Sequence, residues 1–216
     1  MTDPHYKICN KSGRAKIYMR AFFKIIFKFI TIIIYRPKII GKENIPEEGN
    51  AIICANHVHF WDSVVMIVML RRKVNVLAKE ELFRNKFNRW FAGVIGVYPV
   101  KRGTADMGAV KTALKLMEEK ELLLIFPEGT RNGLAKGKKP KKGAVMIAAS
   151  SESPIIPIGV QGSFKPFTKV TLNIGKPIDY SQYKNETHDK VKMDELAQEL
   201  MKDIVKLRDE KKERKT

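Results

Sequence analysis

Cysteine is nearly absent: two residues in 216, Cys9 and Cys54, far apart and outside any CxxC pair. That excludes a disulfide framework and makes a structural zinc improbable, so a reducing compartment is the expectation. Cys54 sits in Ala51-Ile52-Ile53-Cys54-Ala55 and reads as a small buried hydrophobe. No GxSxG elbow is present, and neither GxxxxGK[ST] nor GxGxxG occurs; Gly133-Leu134-Ala135-Lys136-Gly137-Lys138 has the wrong spacing. Serine-elbow hydrolases and nucleotide-triphosphate or dinucleotide binding lose their usual signatures. The polar stretch Met1 to Gly13 gives no reason to expect a cleaved signal peptide. Acidic residues are also scarce, 23 Asp+Glu against 41 Lys+Arg, for a net charge of +18. Such a chain is drawn to phosphate-rich partners: nucleic acid, anionic lipid or phosphorylated small molecules.

What is there begins with apolar material, 44% of the chain, enough for one substantial core. From Arg14 to Arg36 the chain is dense in Ile and Phe, yet its longest uncharged stretch, Phe29 to Tyr35, is seven residues. Spanning hydrocarbon takes about 20. Lys16, Arg20, Lys24 and Lys28 recur every four residues and drift only about 40° per step on a helix. The reading is an amphipathic helix docked in a membrane interface, with those four cations on headgroups and Phe23, Ile26, Phe27 and Ile30 among acyl chains. A helix packed on the protein's own core and a spanning helix are the alternatives.

After Pro37 short apolar strands alternate with helical patterns. Strands are expected at 38–41, 51–55, 74–78, 94–100, 122–126, 155–160 and 170–175. Helices are expected at 63–71, 82–91, 105–119, 143–150 and 193–214. This predicts an α/β domain with a mostly parallel sheet flanked by helices over residues 41–216, preceded by the membrane-docking segment of residues 1–40. Ligands of such sheets gather where strand ends run into loops.

Two strand ends carry chemistry. Ala51–Ala55 delivers Asn56-His57-Val58-His59-Phe60-Trp61-Asp62. Imidazole ionises near neutrality, and a carboxylate five residues on can hold its Nδ1 proton while Nε2 takes another. No protein nucleophile stands beside it, so the substrate would supply one, for example an alcohol. The competing readings are that His57 satisfies core polar groups while Asp62 caps the next helix, or that His57 and His59 hold a metal. For the metal no Cys or carboxylate cluster lies at ligand spacing, so none is expected.

The second end is Phe126-Pro127-Glu128-Gly129-Thr130-Arg131. Gly129 allows a tight turn, Arg131 offers a planar fork of donors for phosphate, and Glu128 could orient that arginine or accept from a ligand hydroxyl. Lys101-Arg102-Gly103 supplies a further basic element. The run Lys136, Lys138, Lys139, Lys141 and Lys142 reads equally as a solvated loop or as an anion contact.

Together the blocks Asn56-His57 with Asp62, Val100-Lys101-Arg102-Gly103, Phe126–Arg131 and Ile155-Ile156-Pro157-Ile158-Gly159-Val160 resemble those of the glycerolipid acyltransferase family, in its lysophosphatidic acid acyltransferase branch. The resemblance implies transfer of a fatty acyl group from acyl-CoA or acyl-carrier protein to the 2-hydroxyl of lysophosphatidate, giving phosphatidic acid in phospholipid biosynthesis. No cofactor would be bound permanently. His57 would be the base, steadied by Asp62, with no acyl-enzyme. Arg102, Glu128, Gly129 and Arg131 would position the phosphate, supported by Asn56, Lys101 and Thr130, with Pro157 shaping the pocket floor.

The same resemblance implies a peripheral or monotopic enzyme on the cytoplasmic face of the cell membrane, with anionic phospholipid rather than nucleic acid as its partner. Two departures from the family pattern stand out: His59 replaces a usual serine, and Lys141 stands where an aromatic residue commonly precedes Lys-Gly. Glycerol 3-phosphate or another lysophospholipid is the alternative acceptor. A non-enzymatic anionic-lipid or nucleic-acid binding protein is the alternative class.

Overall fold

The computed structural model describes residues 14–86, 90, 92, 96–100 and 107–210, without the side chains of 14–17, 79, 81–82, 100 and 107. The first half runs α1 (Arg14–Tyr35), β1 (Lys38–Ile40), β2 (Ala51–Ala55), α2 (Trp61–Met69), β3 (Val74–Lys79) and β4 (Val97–Val100). The second half runs α3 (Met107–Glu118), β5 (Leu122–Ile125), α4 (Gly143–Ser151), β6 (Ile155–Gln161), β7 (Thr171–Ile174) and α5 (Lys190–Asp209). The seven strands form one sheet in the order β1-β7-β6-β2-β5-β3-β4. Every neighbouring pair is parallel except β6 with β7. The mostly parallel α/β architecture read from the sequence is the one observed, and the sheet already begins at Lys38.

Parallel strands buried on both faces need apolar side chains at every position, and β2 is buried throughout. Its side chains alternate between two cores. Ile52 and Cys54 join Leu123, Ile155 and the inner faces of α3, α4 and α5. Ala51, Ile53 and Ala55 face the other way, with Leu122, Leu124, Ile156 and α2. The β2–α2–β3 crossover travels toward β4, whereas β5–α4–β6 travels back toward β1. Right-handed crossovers in opposite directions put α2 and α4 on opposite faces and open a crevice between the ends of β2 and β5. His57 and the Phe126–Arg131 loop follow those two strand ends.

The helix α1 forms as the charge period predicts, but of the residues expected to meet the membrane Arg20, Phe23, Lys24 and Phe27 turn inward, while Ile26, Lys28 and Ile30 stay outward. Arg20 donates to the Val74 carbonyl at 3.4 Å, and the Lys24 ammonium donates to the carbonyls of Leu70 at 2.8 Å and Arg71 at 3.2 Å. The two carbonyls that Lys24 reaches follow the end of α2, where a cation complements the helix dipole, whereas Val74 opens β3. Burial lowers the pKa of both cations, and for Lys24 the neighbouring Arg20 adds to the effect. Phe23 and Phe27 line an apolar cavity of about 170 Å³ with Phe60 and Trp61.

Thus Arg20, Phe23, Lys24 and Phe27, at helical spacing, face the protein rather than lipid. Outward point Phe22, Ile25, Ile26, Phe29, Ile30, Ile32 and Ile33, all exposed, with Lys28 exposed among them. The side chain of Lys16 lies outside the described residues. The sequence pattern reveals the amphipathic period but not its orientation, because the carbonyls that attract the cations are set by the tertiary fold. Among the described residues no helix is long and apolar enough to cross a membrane.

Candidate active site

Asn56 closes β2 with a paired contact. Its Nδ2 donates to the Val160 carbonyl at 3.0 Å, and its Oδ1 accepts the Val160 N–H at 2.7 Å. A side-chain amide thereby continues the β2–β6 ladder for one more step and frees the backbone to turn at His57. At that turn His57 Nδ1 lies 2.9 Å from Asp62 Oδ2. The same oxygen accepts the backbone N–H groups of Val58 at 2.7 Å and His59 at 2.8 Å. Capping-type satisfaction and the imidazole contact are therefore both properties of Asp62. With Oδ2 an acceptor for Nδ1–H, the imidazole keeps Nε2 free to take a proton.

The pair sits at the edge of the core. The Asp62 side chain is 0% exposed and that of His57 14%. Asp62 Oδ1 is buried with no hydrogen-bond partner among the described residues. The His57 ring stacks on Phe126, centroids 4.0 Å apart and planes 19° apart. Phe126 was legible as the end of the β5 run, but nothing in the sequence signals that it would pack on the imidazole.

The second loop is fastened to the first through backbone groups. Glu128 Oε1 accepts the His57 N–H at 2.7 Å, and Oε2 accepts the Leu134 N–H at 2.8 Å. Asn132 N–H donates to the His57 carbonyl at 2.6 Å. Glu128 is 5% exposed. The expectation gave this carboxylate to Arg131, to a ligand hydroxyl or, with the arginines, to positioning the phosphate; in the structure each of its oxygens holds a backbone N–H. An anion with both oxygens engaged inside the loop braces the site rather than greeting another anion.

Arg131 is exposed, and among the described residues its guanidinium has no hydrogen-bond or ion-pair partner. It precedes Asn132, the residue whose N–H is bonded to the His57 carbonyl. Gly129 adopts φ +65°, and a Cβ there would come within 2.7 Å of Lys141 Cε. The turn therefore needs glycine for its left-handed backbone, and the Lys141 side chain lies over it. Lys141 N–H also donates to the Pro127 carbonyl at 2.7 Å.

Thr130 forms part of the turn, its carbonyl accepting from Gly133 N–H. Pro157 is buried in β6 level with Cys54, and its carbonyl accepts from Gly175 N–H, so it belongs to the sheet rather than to an open pocket floor. Lys101 and Arg102 lie outside the described residues. The second histidine of the loop, His59, stacks on Phe164 with ring centroids 5.6 Å apart. Among the described residues no group of three His, Cys, Asp or Glu side chains could hold a metal ion.

The family model described as Acyltransferase matches residues 36–161, which contain both strand-end loops. The 1-acyl-sn-glycerol-3-phosphate acyltransferase of Bacillus subtilis (strain 168) is 33% identical over 153 residues, 68% of this chain and 75% of that protein. The protein of the same name in Borreliella burgdorferi is 31% identical over 198 residues, 85% of this chain and 78% of its own. Among solved structures, the 1-acyl-sn-glycerophosphate (LPA) acyltransferase PlsC from Thermotoga maritima superposes with a TM-score of 0.66 at 24% identity, covering 96% of this chain and 88% of that one. That similarity establishes the fold, and the first two matches go further. The chain belongs to the acyltransferase family, in the branch of the 1-acyl-sn-glycerol-3-phosphate acyltransferases, and is an O-acyltransferase.

Proposed function

We propose that this enzyme moves a fatty acyl group from a thioester, acyl-CoA or acyl-carrier protein, to the 2-hydroxyl of 1-acyl-glycerol 3-phosphate, releasing phosphatidic acid. The observation that carries the reading is the buried Asp62 carboxylate on His57 Nδ1, with exposed Arg131 next to Asn132, whose N–H is bonded to the His57 carbonyl. Names of similar proteins support the acceptor, and the His57–Asp62 contact supports the assignment of the base.

His57 Nε2 accepts the hydroxyl proton as the acceptor oxygen attacks the thioester carbonyl. A C–O bond forms, the C–S bond breaks, and the imidazolium returns its proton to the departing thiolate sulfur. Asp62 stabilises the imidazolium between those steps. No protein nucleophile intervenes, so rate enhancement rests on holding alcohol and thioester in line. Arg131 binds the acceptor phosphate, with Gly129 letting the backbone approach it and Lys101 and Arg102 as further cations. Glu128 keeps the two loops in register.

The acceptor is a lipid, and α1 supports its delivery. Phe22, Ile25, Phe29 and Ile33 are 57–64% exposed on one side of that helix. Burying such a side chain is worth about 1–2 kcal/mol, so α1 docks in the surface of an anionic bilayer, on the cytoplasmic side where the thioesters are found.

The test is acyl transfer by the purified protein, with lysophosphatidate, glycerol 3-phosphate and other lysophospholipids as acceptors and both thioester carriers as donors, products identified by mass. Phosphatidic acid should dominate and vanish with His57→Ala. Turnover of lysophosphatidate by that variant at the wild-type rate would remove His57 from the role of base. Preference for another acceptor would reassign the substrate.

A further inference from the structure

On the side of the sheet away from α1, a groove of about 600 Å³ runs between the 134–140 loop and α5. One wall carries Lys138 and Lys139 and the other Lys202 and Lys206, with Leu134, Met201 and Val205 between them. On α5 the lining residues Gln198, Met201, Lys202, Val205 and Lys206 fall at i, i+3, i+4, i+7 and i+8, one continuous helix face. Among the described residues no aspartate or glutamate lines the groove.

Both walls are anchored to the catalytic loops. Leu134 N–H is held by Glu128, whose other oxygen holds His57 N–H. Lys138 N–H donates to the Gly133 carbonyl at 2.9 Å, and Gly137 N–H to that of Leu134 at 2.9 Å. At the far wall the end of α5 crosses β6 at Gly159, where any Cβ would strike the backbone of Leu207 and Arg208. Gly159 neighbours Val160, the partner of Asn56. The groove walls are thus tied to the His57 loop through Glu128 and to Asn56 through the neighbouring β6 backbone, on the face opposite the apolar helix.

We propose that this groove binds the phosphorylated nucleotide end of acyl-CoA, its lysines gripping the phosphates and its apolar floor carrying the flat adenine ring. The proposal rests on the acyl-transfer reading, since it names the donor of that reaction. Cations facing one another across an apolar cleft suit a ligand with a planar ring and phosphates at two positions of the attached ribose. A cleft of this size lies within the range of small-molecule sites, about 300–1,000 Å³. The two substrates then reach His57 from different phases: the lipid acceptor from the α1 face and the water-soluble donor from the α5 face.

The test uses the full chain and adenosine 3′,5′-bisphosphate, the nucleotide end of coenzyme A without its thiol arm. Calorimetric titration should show saturable binding to wild type and about tenfold weaker binding to K202A/K206A, with K202R/K206R restoring it. In turnover assays K202A/K206A should raise KM for acyl-CoA by a similar factor and leave KM for lysophosphatidate unchanged. In wild type the bisphosphate should protect Lys138, Lys139, Lys202 and Lys206 from chemical acetylation, a readout that survives if the double variant fails to fold. Binding no tighter than that of inorganic phosphate, or no protection, overturns the proposal. So does a KM effect confined to acyl-carrier protein, which would make the groove a protein-docking surface. An enzyme that transfers no acyl group from either donor defeats the functional reading instead, while the titration still decides the groove.

Discussion

The carboxylate of Glu128 accepts the backbone N–H of His57 at 2.7 Å, so the residue proposed as base is held in place from the neighbouring strand's loop. Its second oxygen accepts Leu134 N–H at 2.8 Å. A glutamine here offers one acceptor oxygen and one amide group that can only donate, which leaves a backbone N–H facing another donor. Glu128→Gln should therefore cost about 1–3 kcal/mol of stability, read by urea unfolding, and should lower kcat more than it raises KM for the acceptor. A pure KM effect at unchanged stability would mean that Glu128 meets the substrate directly.

Asp62→Asn separates charge from geometry. The asparagine oxygen can take the place of Oδ2 and still accept from His57 Nδ1 and the two backbone N–H groups. What is lost is the negative charge that stabilises an imidazolium. We expect kcat to fall by about 10²–10⁴-fold, the range of a general-base contribution, with KM for lysophosphatidate within about twofold of wild type and the fold intact by circular dichroism. An unchanged kcat would reduce Asp62 to a capping residue.

How far the sequence carries is visible in these two carboxylates. The His57–Asp62 contact is one of the readings the spacing offers, because a loop of five residues, 56–60, between a strand and a helix brings the two side chains together. Strand–helix alternation likewise led to the parallel sheet, since continuous apolar runs have no other way to be buried. Glu128 reads as a ligand group in FPEGTR because nothing local indicates that its partners are N–H groups 71 residues upstream and six downstream. Arg20 and Lys24 mislead for the same reason: the carbonyls that receive them belong to α2 and β3.

Asn56 offers a third test. Its Oδ1 and Nδ2 face a donor and an acceptor of Val160. Asn56→Asp sets a second carboxylate oxygen against the Val160 carbonyl, both buried. The substitution should cost about 2 kcal/mol or more and loosen the end of β2, lowering acyl transfer together with stability. Thermal unfolding and turnover measured on the same preparation check it; loss of activity without loss of stability would point to a direct contact with substrate.

Cys54 should be silent. It is 0% exposed, and burial pushes its thiol well above the usual range. The thiolate is the reactive species, so folded protein treated with iodoacetamide at mildly alkaline pH should leave Cys54 unmodified by peptide mass, while urea-unfolded protein should react. Rapid labelling of the native chain would show that β2 opens far more often than a central strand should.

The orientation of α1 gives the last prediction, since its two faces respond to different measurements. Phe29 and Ile33 are 64% and 61% exposed, one turn apart on the outward side, whereas Lys24 holds the carbonyl of Leu70 at 2.8 Å on the inward side. Placing glutamates at 29 and 33 removes apolar area from any lipid contact and adds repulsion from anionic headgroups. F29E/I33E should lose most of its co-sedimentation with phosphatidylglycerol vesicles while unfolding at the wild-type temperature. Lys24→Ala should do the converse, lowering the unfolding temperature by uncapping α2 and leaving vesicle binding close to wild type. If Lys24→Ala instead releases the protein from vesicles at unchanged stability, the basic flank faces the headgroups and α1 sits on the membrane the other way round.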